Sequence, residues 1–210
     1  DSPSQDGGFS STTTASFSAD FYIGAENDDD GSAHSDEDDS IQAGYSFQID
    51  LNTSFTGEDS LDISIDAGSG GTEGIAEFDG NGEGDDLHVD GVSYTFPVGD
   101  KTTVIVGDNT DASALFTTAC VYGGPSNTLD DCGNVNAGVT GGGTAIGASY
   151  DFGNGFTAAV GYAGSGDTLG LGTEASLDVL GVNAAYTTDT YGVSLTYGSI
   201  EATAADDNIY

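Results

Sequence analysis

The chain has 210 residues, with 36 Asp and Glu against a single basic residue, Lys101, and a formal net charge of −35. This charge repels nucleic acids, nucleotides and anionic lipid surfaces and attracts cations, so it argues against a nucleic-acid partner. Ten Tyr and ten Phe give the chain more apolar material than a disordered acidic polymer carries, and the length suits one domain, 1–210.

The first half of the chain alternates apolar and polar residues with a period of two, which predicts β-strands. In the clearest strand Phe47 and Ile49 share one face, whereas Gln48 and Asp50 share the other. Near Gly91 the alternation changes phase, which indicates a β-bulge. The strands predicted in this half cover 12–25, 40–56, 61–67, 86–98 and 102–107.

The second half continues the pattern in two hairpins. An Asn154-Gly155 turn joins a strand at 146–152 to one at 156–162, and a turn at 188–190 joins 180–186 to 191–197. A tenth strand is predicted to begin at 208–210. No segment has a helical period of useful length, and no apolar run approaches the ~20 residues of a transmembrane helix.

The connections between these strands alternate strictly between long and short. The long ones are 26–39, 68–86, 108–142, 164–176 and 202–207, and the short ones are 57–59, 99–101, 153–155 and 188–190. This order predicts an all-β, antiparallel up-and-down meander with two unlike ends, as in an outer-membrane β-barrel. We therefore expect a transmembrane β-barrel, or a large part of one, with apolar residues in lipid and polar residues on a wet lumen. The alternative is a soluble sandwich or barrel whose apolar face is its core.

The long connection 108–142 contains both cysteines of the chain, Cys120 and Cys132. Their spacing suits a local disulfide and hence an oxidising compartment, with two free buried thiols as the alternative. Residues 1–8 are expected to form a flexible lead-in. Because the chain opens on Asp1 rather than Met, we expect it to be processed or excised.

Two acidic loops have the ligand spacing of a calcium site. In the first, a glycine at position 6 accompanies oxygen ligands at positions 1, 3, 5 and 12, which are Glu26, Asp28, Asp30 and Glu37. The second cluster consists of Asp79, Asn81, Glu83 and Asp85. Strands rather than helices flank these loops, and the alternative for both is a solvated acidic loop. No cofactor is required, and Ca²⁺ is the one candidate ion.

Several phrases of the sequence, in this order, resemble the porins of cyanobacterial outer membranes, especially those of marine picocyanobacteria. They are FSSTTTASF at 9–17, DLNTSFTGED at 50–59, YTFPVGDK at 94–101, the loop holding both cysteines, SYDFGNGF at 149–156 and VGYAG at 160–164. The resemblance implies a wide, commonly trimeric barrel in the outer membrane of a Gram-negative bacterium. It also implies an anchoring domain before residue 1 and several more strands after Tyr210.

The same resemblance implies a role for the third long loop, which in general porins folds into the lumen and narrows the pore. Asp108, Asp111, Asp130 and Asp131 would then stand near the constriction, where acidic residues favour cations. The alternative is an outward-facing loop with no role in the channel.

The leading functional hypothesis is a cation-preferring porin for passive diffusion of small hydrophilic solutes and ions. One alternative is a secreted acidic subunit of a surface layer or extracellular fibre that polymerises by strand pairing and binds calcium. Another is a soluble carbohydrate-binding or adhesion module. As a porin, the chain would have outer-membrane lipid and two further copies in a trimer as partners. As a fibre subunit, its partners would be further copies in a polymer. Neither His34 nor His88 has the context of a nucleophile, so we do not expect an enzyme.

Overall fold

A computed structural model describes residues 12–24, 41–69, 84–119, 134, 137–140, 143–166, 170–173 and 177–201. They form one nine-stranded sheet in which each strand pairs antiparallel with the next along the chain. The strands are β1 (Thr13–Gly24), β2 (Gln42–Thr53), β3 (Ser60–Gly68), β4 (His88–Val98), β5 (Thr102–Asp108), β6 (Thr144–Gly153), β7 (Phe156–Gly164), β8 (Val179–Thr187) and β9 (Gly192–Ile200). The predicted all-β meander is confirmed, and these described ranges contain no helix.

The alternation of long and short connections is confirmed by the strand bounds. The short turns lie between β2 and β3, β4 and β5, β6 and β7, and β8 and β9, and the long connections join the remaining pairs. Because consecutive strands are antiparallel, all short turns lie at one end of the strands, the short-turn end, and all long connections lie at the other, the long-connection end. The lead-in at 1–8 and the tenth strand at 208–210 fall outside the described residues.

The predicted bulge in β4 is confirmed by the register between β3 and β4. Ser64 pairs with Gly91 and Ile65 with Val89, so Asp90 is an extra residue on β4. An extra residue reverses the phase of the side chains that follow. As a result Val89 and Val92, which have opposite parity, both lie on the same face of the sheet.

One side of the sheet, which we call the apolar face, carries large hydrophobic side chains that no other described part of the chain covers. Leu195 is 74% exposed, Val193 62% and Val160 45%. Exposed side chains of this kind extend from β1 to β9, as for Phe17, Phe21, Val92, Val106, Ile146, Val182 and Tyr197. The apolar face is therefore not the core of the described fold.

Aromatic side chains are concentrated on the apolar face close to the short-turn end of the strands. Phe55 and Tyr94 have ring centroids 6.3 Å apart. Further ring pairs lie at this end of the strands, namely Tyr94–Phe96, Tyr150–Phe152, Phe156–Tyr186 and Tyr186–Tyr191. Near the long-connection end, Phe21 and Tyr45 form another pair, with ring centroids 6.3 Å apart. Aliphatic residues such as Val160 and Val182 lie between these two aromatic zones.

The opposite side, the polar face, holds the buried cluster of the described fold. It consists of small side chains, Ala112, Val139, Ala145 and Ala163, with Phe116 packed against them. Ala145 and Ala163 belong to β6 and β7, whereas the other members come from the connection between β5 and β6. The described part of this connection therefore lies over the polar face of the sheet.

Candidate functional site

A row of carboxylates lies on the polar face of β2, β3 and β4. We call Asp50, Asp62, Asp66 and Asp90 the acidic row; three of them face this side because they alternate with apolar residues, and Asp90 does so because of the bulge. Neighbouring polar side chains donate hydrogen bonds to these carboxylates. Asp50 accepts from the Gln48 amide at 2.7 Å and from the Ser64 hydroxyl at 3.1 Å. Asp62 accepts from Asn52 at 2.5 Å and from Ser60 at 2.6 Å.

A recess of about 600 Å³ opens beside the acidic row. Its carboxylates come from Asp50, Asp62, Asp90 and Asp111, with Ser93 and Asn109 among the polar neighbours. The Asn109 side chain donates a hydrogen bond to the backbone carbonyl of Asp90, so the chain leaving β5 is tied to the bulge. A water-filled recess with this lining concentrates cations and repels anions.

The other half of the polar face is covered by a part of the β5–β6 connection that we call the overlying segment, residues 110–119, 134 and 137–140. The Thr117 amide donates to Oδ1 of Asn183 on β8, at 3.1 Å. The Ala119 amide donates to the Ser194 hydroxyl on β9, also at 3.1 Å. On the returning part the Thr196 hydroxyl donates to Oδ1 of Asn134 at 3.2 Å. The segment thus crosses from β5 to β9 and is bonded to side chains of the sheet.

Asn183 is the most deeply buried polar residue of this contact, with 1% of its surface exposed. While its Oδ1 accepts from Thr117, its amide nitrogen donates to the Thr196 hydroxyl at 3.1 Å. A buried amide that bonds on both sides fixes the height at which the segment crosses β8.

The short turn between β2 and β3 is organised by Asp59, a carboxylate with 7% exposure. Its Oδ2 accepts from the Tyr94 hydroxyl at 2.6 Å, and its Oδ1 accepts from the amide and hydroxyl of Thr56, both at 2.7 Å. Oδ1 also accepts from the Ser54 hydroxyl and the Phe55 amide. The Tyr94 hydrogen bond first, and then those from Thr56 and Ser54, hold the pKa of Asp59 well below its usual range.

The structure describes two of the predicted constriction residues, and these two have different surroundings. Asp111 lines the recess. Asp108 ends β5 in register with Val92, and its carboxylate accepts a hydrogen bond from the Thr144 hydroxyl at 3.0 Å. Asp130, Asp131 and the predicted disulfide cysteines Cys120 and Cys132 lie outside the described residues.

Of the predicted calcium ligands, only Asp85 is described; it accepts a hydrogen bond from the Tyr45 hydroxyl at 2.8 Å. The remaining ones, Glu26, Asp28, Asp30, Glu37, Asp79, Asn81 and Glu83, fall outside the described ranges. Within those ranges no three His, Cys, Asp or Glu residues are grouped so that they could hold a metal ion. Calcium binding in these loops stays a prediction.

Sequence reasoning did not single out the acidic row or Asn183 as site residues. The signal for Asp50, Asp62 and Asp66 was present, because each alternates with apolar residues and so belongs to the polar face. The role of Asn183 had no local signal, since its partners Thr117 and Thr196 belong to a distant connection and a neighbouring strand.

Comparison with known proteins finds no matching family model and no curated protein of significant sequence similarity. Among the residues that the structure describes, no helix is both long and apolar enough to span a membrane.

Proposed function

We propose that the chain forms the wall of an outer-membrane porin of the cyanobacterial type, through which small hydrophilic solutes and cations diffuse passively. The observation that carries this proposal is the inverted polarity of the sheet. Its large hydrophobic side chains are exposed, as for Leu195 at 74%, whereas its buried cluster lies on the polar face. A soluble monomer rarely exposes a continuous apolar patch beyond a few hundred Å². A barrel wall needs this arrangement, because its outside meets hydrocarbon and its inside meets water.

The distribution of residues along the strands supports the same proposal. Aromatic pairs near both ends of the strands, such as Phe156–Tyr186 and Phe21–Tyr45, border an aliphatic middle zone. Aromatic girdles at the two membrane interfaces, with an aliphatic band between them, are typical of transmembrane barrels. The acidic row and the recess give the proposed lumen its cation preference.

Closure of the proposed barrel needs partners for the two outer strands, because β1 and β9 are not paired with each other in the described sheet. In a meander of nine strands the first and last run in the same direction. An antiparallel closure therefore requires an odd number of further strands, which would make the total even, as in bacterial single-chain barrels. We propose that such strands complete the wall and that, by resemblance, the complete barrels associate as trimers.

The test of this function is reconstitution of the chain, together with the strands that complete its wall, into planar bilayers, with partition between detergent and aqueous phases measured in parallel. We expect the chain to enter the detergent phase and to produce discrete conductance steps. Under a salt gradient the reversal potential should have the sign for cation preference. A chain that stays in the aqueous phase and adds no conductance would contradict the proposal.

A second candidate is an assembling subunit of a surface layer or fibre, and it is favoured by the outer edges of β1 and β9, which no other described strand pairs. Exposed backbone donors and acceptors on an edge strand can pair with another copy. For this candidate we expect large polymers in the absence of detergent, measured by sedimentation, with no conductance in bilayers. Discrete channels from a chain that stays unpolymerised would exclude it.

A further inference from the structure

Four glycines lie side by side across β6, β7, β8 and β9. Gly147 pairs with Gly161, Gly161 with Gly181, and Gly181 with Gly198. We call these four residues the glycine row; it runs perpendicular to the strands on the polar face. Since a glycine adds no side chain above the backbone, the row forms a trough in this face of the sheet.

The overlying segment lies in this trough at three of the four glycines. A Cβ atom at Gly161 would overlap the carbonyl oxygen of Ala112, and one at Gly198 would overlap the carbonyl oxygen of Ala137. At Gly181 a Cβ would come within 2.8 Å of both the Phe116 ring and a Val139 methyl group. At Gly161 and Gly198 the backbone of the segment therefore occupies the space that a side chain would need, and at Gly181 its side chains do so.

The need for glycine at these positions comes from space and not from backbone conformation. Neither Gly161, Gly181 nor Gly198 has a positive φ, so an alanine could adopt the same backbone angles. Gly147 is a natural reference, because the atoms nearest to a Cβ there belong to the sheet, namely the Ile105 side chain at 3.1 Å and the backbone of Val160 and Gly161, and not to the overlying segment. The row thus contains three positions that contact the segment and one that does not.

We propose that the glycine row holds the overlying segment against β7–β9 and thereby sets the open cross-section of the pore, leaving solutes the path along the acidic row. This inference rests on the proposed porin function. With the polar face of β7–β9 occupied by protein, the space that stays open to water lies beside Asp50, Asp62 and Asp90. The residues that place the segment are then distinct from the carboxylates that select the ion.

The first readout is amide hydrogen exchange at Thr117 and Ala119, which needs no conductance. Both amides donate to sheet side chains while the segment is held in the trough. In Gly161→Ala and Gly198→Ala we expect both amides to exchange at least about tenfold faster than in the unaltered chain. In Gly147→Ala their exchange should stay unchanged. Unchanged exchange in the first two variants would overturn the proposal.

The second readout is single-channel conductance of the same variants. Release of the segment should widen the open path, so Gly161→Ala and Gly198→Ala should give larger conductance steps and weaker cation preference than Gly147→Ala. Faster exchange without any change in conductance would show that the segment does not set the cross-section. If the unaltered chain does not conduct at all, the porin function fails, and the exchange experiment still decides whether the glycines hold the segment.

A variant outside the sheet covers the case in which the glycine variants do not fold. Val139 belongs to the overlying segment and is 1% exposed, in contact with the trough at Gly181 and Gly198. Val139→Asp leaves every strand sequence intact and places a carboxylate where the segment meets the sheet, where an unpaired charge is unfavourable. We expect fast exchange at Thr117 and larger conductance steps. Protected amides and unchanged conductance in this variant would contradict the proposal.

Discussion

The two halves of the polar face, β2–β4 and β7–β9, differ in what lies next to the sheet. On β2–β4 the inward positions hold charged and hydroxyl side chains beside an open recess, and the Ser64 hydroxyl there donates to the Asp50 carboxylate. On β7–β9 many of the corresponding positions hold Gly or Ala, and the polar ones, the buried amide of Asn183 and the hydroxyls of Ser194 and Thr196, bond to the part of the chain that lies over them. The apolar face, in contrast, has the same character throughout the sheet.

This difference teaches that alternation decides which residues face inward but not what fills the space they face. Long polar side chains keep water beside the sheet, because their hydrogen-bonding groups would be costly to cover without partners. Small side chains leave room for a second layer of backbone, and its amides then bond to the few polar groups present, as Thr117 does to Asn183. One polar face can in this way hold both an open recess and a region covered by protein.

The largest effect is expected from a matched pair of asparagines, one in each half. Asn183→Ala leaves the Thr117 amide without its acceptor in a covered site and should lower the free energy of unfolding by about 1–3 kcal/mol. Asn52→Ala removes hydrogen bonds to Ser60 and Asp62 at an exposed position and should cost below about 1 kcal/mol. Denaturant unfolding in detergent micelles measures both. Equal losses would mean that the two halves are equally covered.

Ion selectivity should depend on carboxylates of the open half only. Replacing Asp50, Asp62 and Asp90 with Asn should lower the ratio of cation to anion permeability at least about twofold, because these groups line the recess. The control removes the same number of charges from short turns, as Glu58→Gln, Asp100→Asn and Asp189→Asn, all at exposed positions. Reversal potentials under a salt gradient give both ratios. An equal shift in the control would assign selectivity to net charge rather than to the acidic row.

The smallest effect concerns the short turns, which differ between the halves in the group that organises them. In the acidic half the turn depends on the Asp59 carboxylate, whose pKa is lowered chiefly by the Tyr94 hydrogen bond. In the covered half the Thr188 hydroxyl, which does not titrate, accepts from the amide of Tyr191 at 3.1 Å. The stability contributed by Asp59 is therefore present above the ordinary carboxyl pKa of about 4 and is lost as the pH falls towards its lower folded value.

Thermal melts across pH test this difference. Asp59→Asn should lower the melting temperature by a few degrees from neutral pH down to about pH 4, and the deficit should shrink in stronger acid. Thr188→Ala should give a small deficit with no dependence on pH. A deficit for Asp59→Asn that grows in acid would contradict the assignment of a lowered pKa.

The strands, their faces and the sorting of connections could be predicted from the sequence because they depend on local periodicity. The bulge at Asp90 is predictable for the same reason, since Val89 and Val92 cannot share a face without an extra residue. The strand bounds differ from the predicted ones by a few residues at most, as in β2, where Gln42–Thr53 replaces 40–56. Ends of this kind depend on pairing with neighbouring strands more than on the alternation itself.

The path of the β5–β6 connection could not be derived from its residues. Its contacts join positions far apart in sequence, such as Thr117 and Asn183, and no periodicity encodes them. The glycine row becomes visible only when the register places Gly161, Gly181 and Gly198 side by side. In the sequence each of these glycines is simply a small residue on the polar face.

The central claim, that the apolar face contacts hydrocarbon and the polar face does not, is tested most directly by fluorescence quenching in liposomes. The chain contains no Trp, so Val182→Trp on the apolar face and Ser93→Trp on the polar face each introduce a single reporter. With lipids brominated near the middle of the acyl chain, we predict strong quenching of the Trp at position 182 and none at position 93. An unquenched Trp at position 182 would contradict the account.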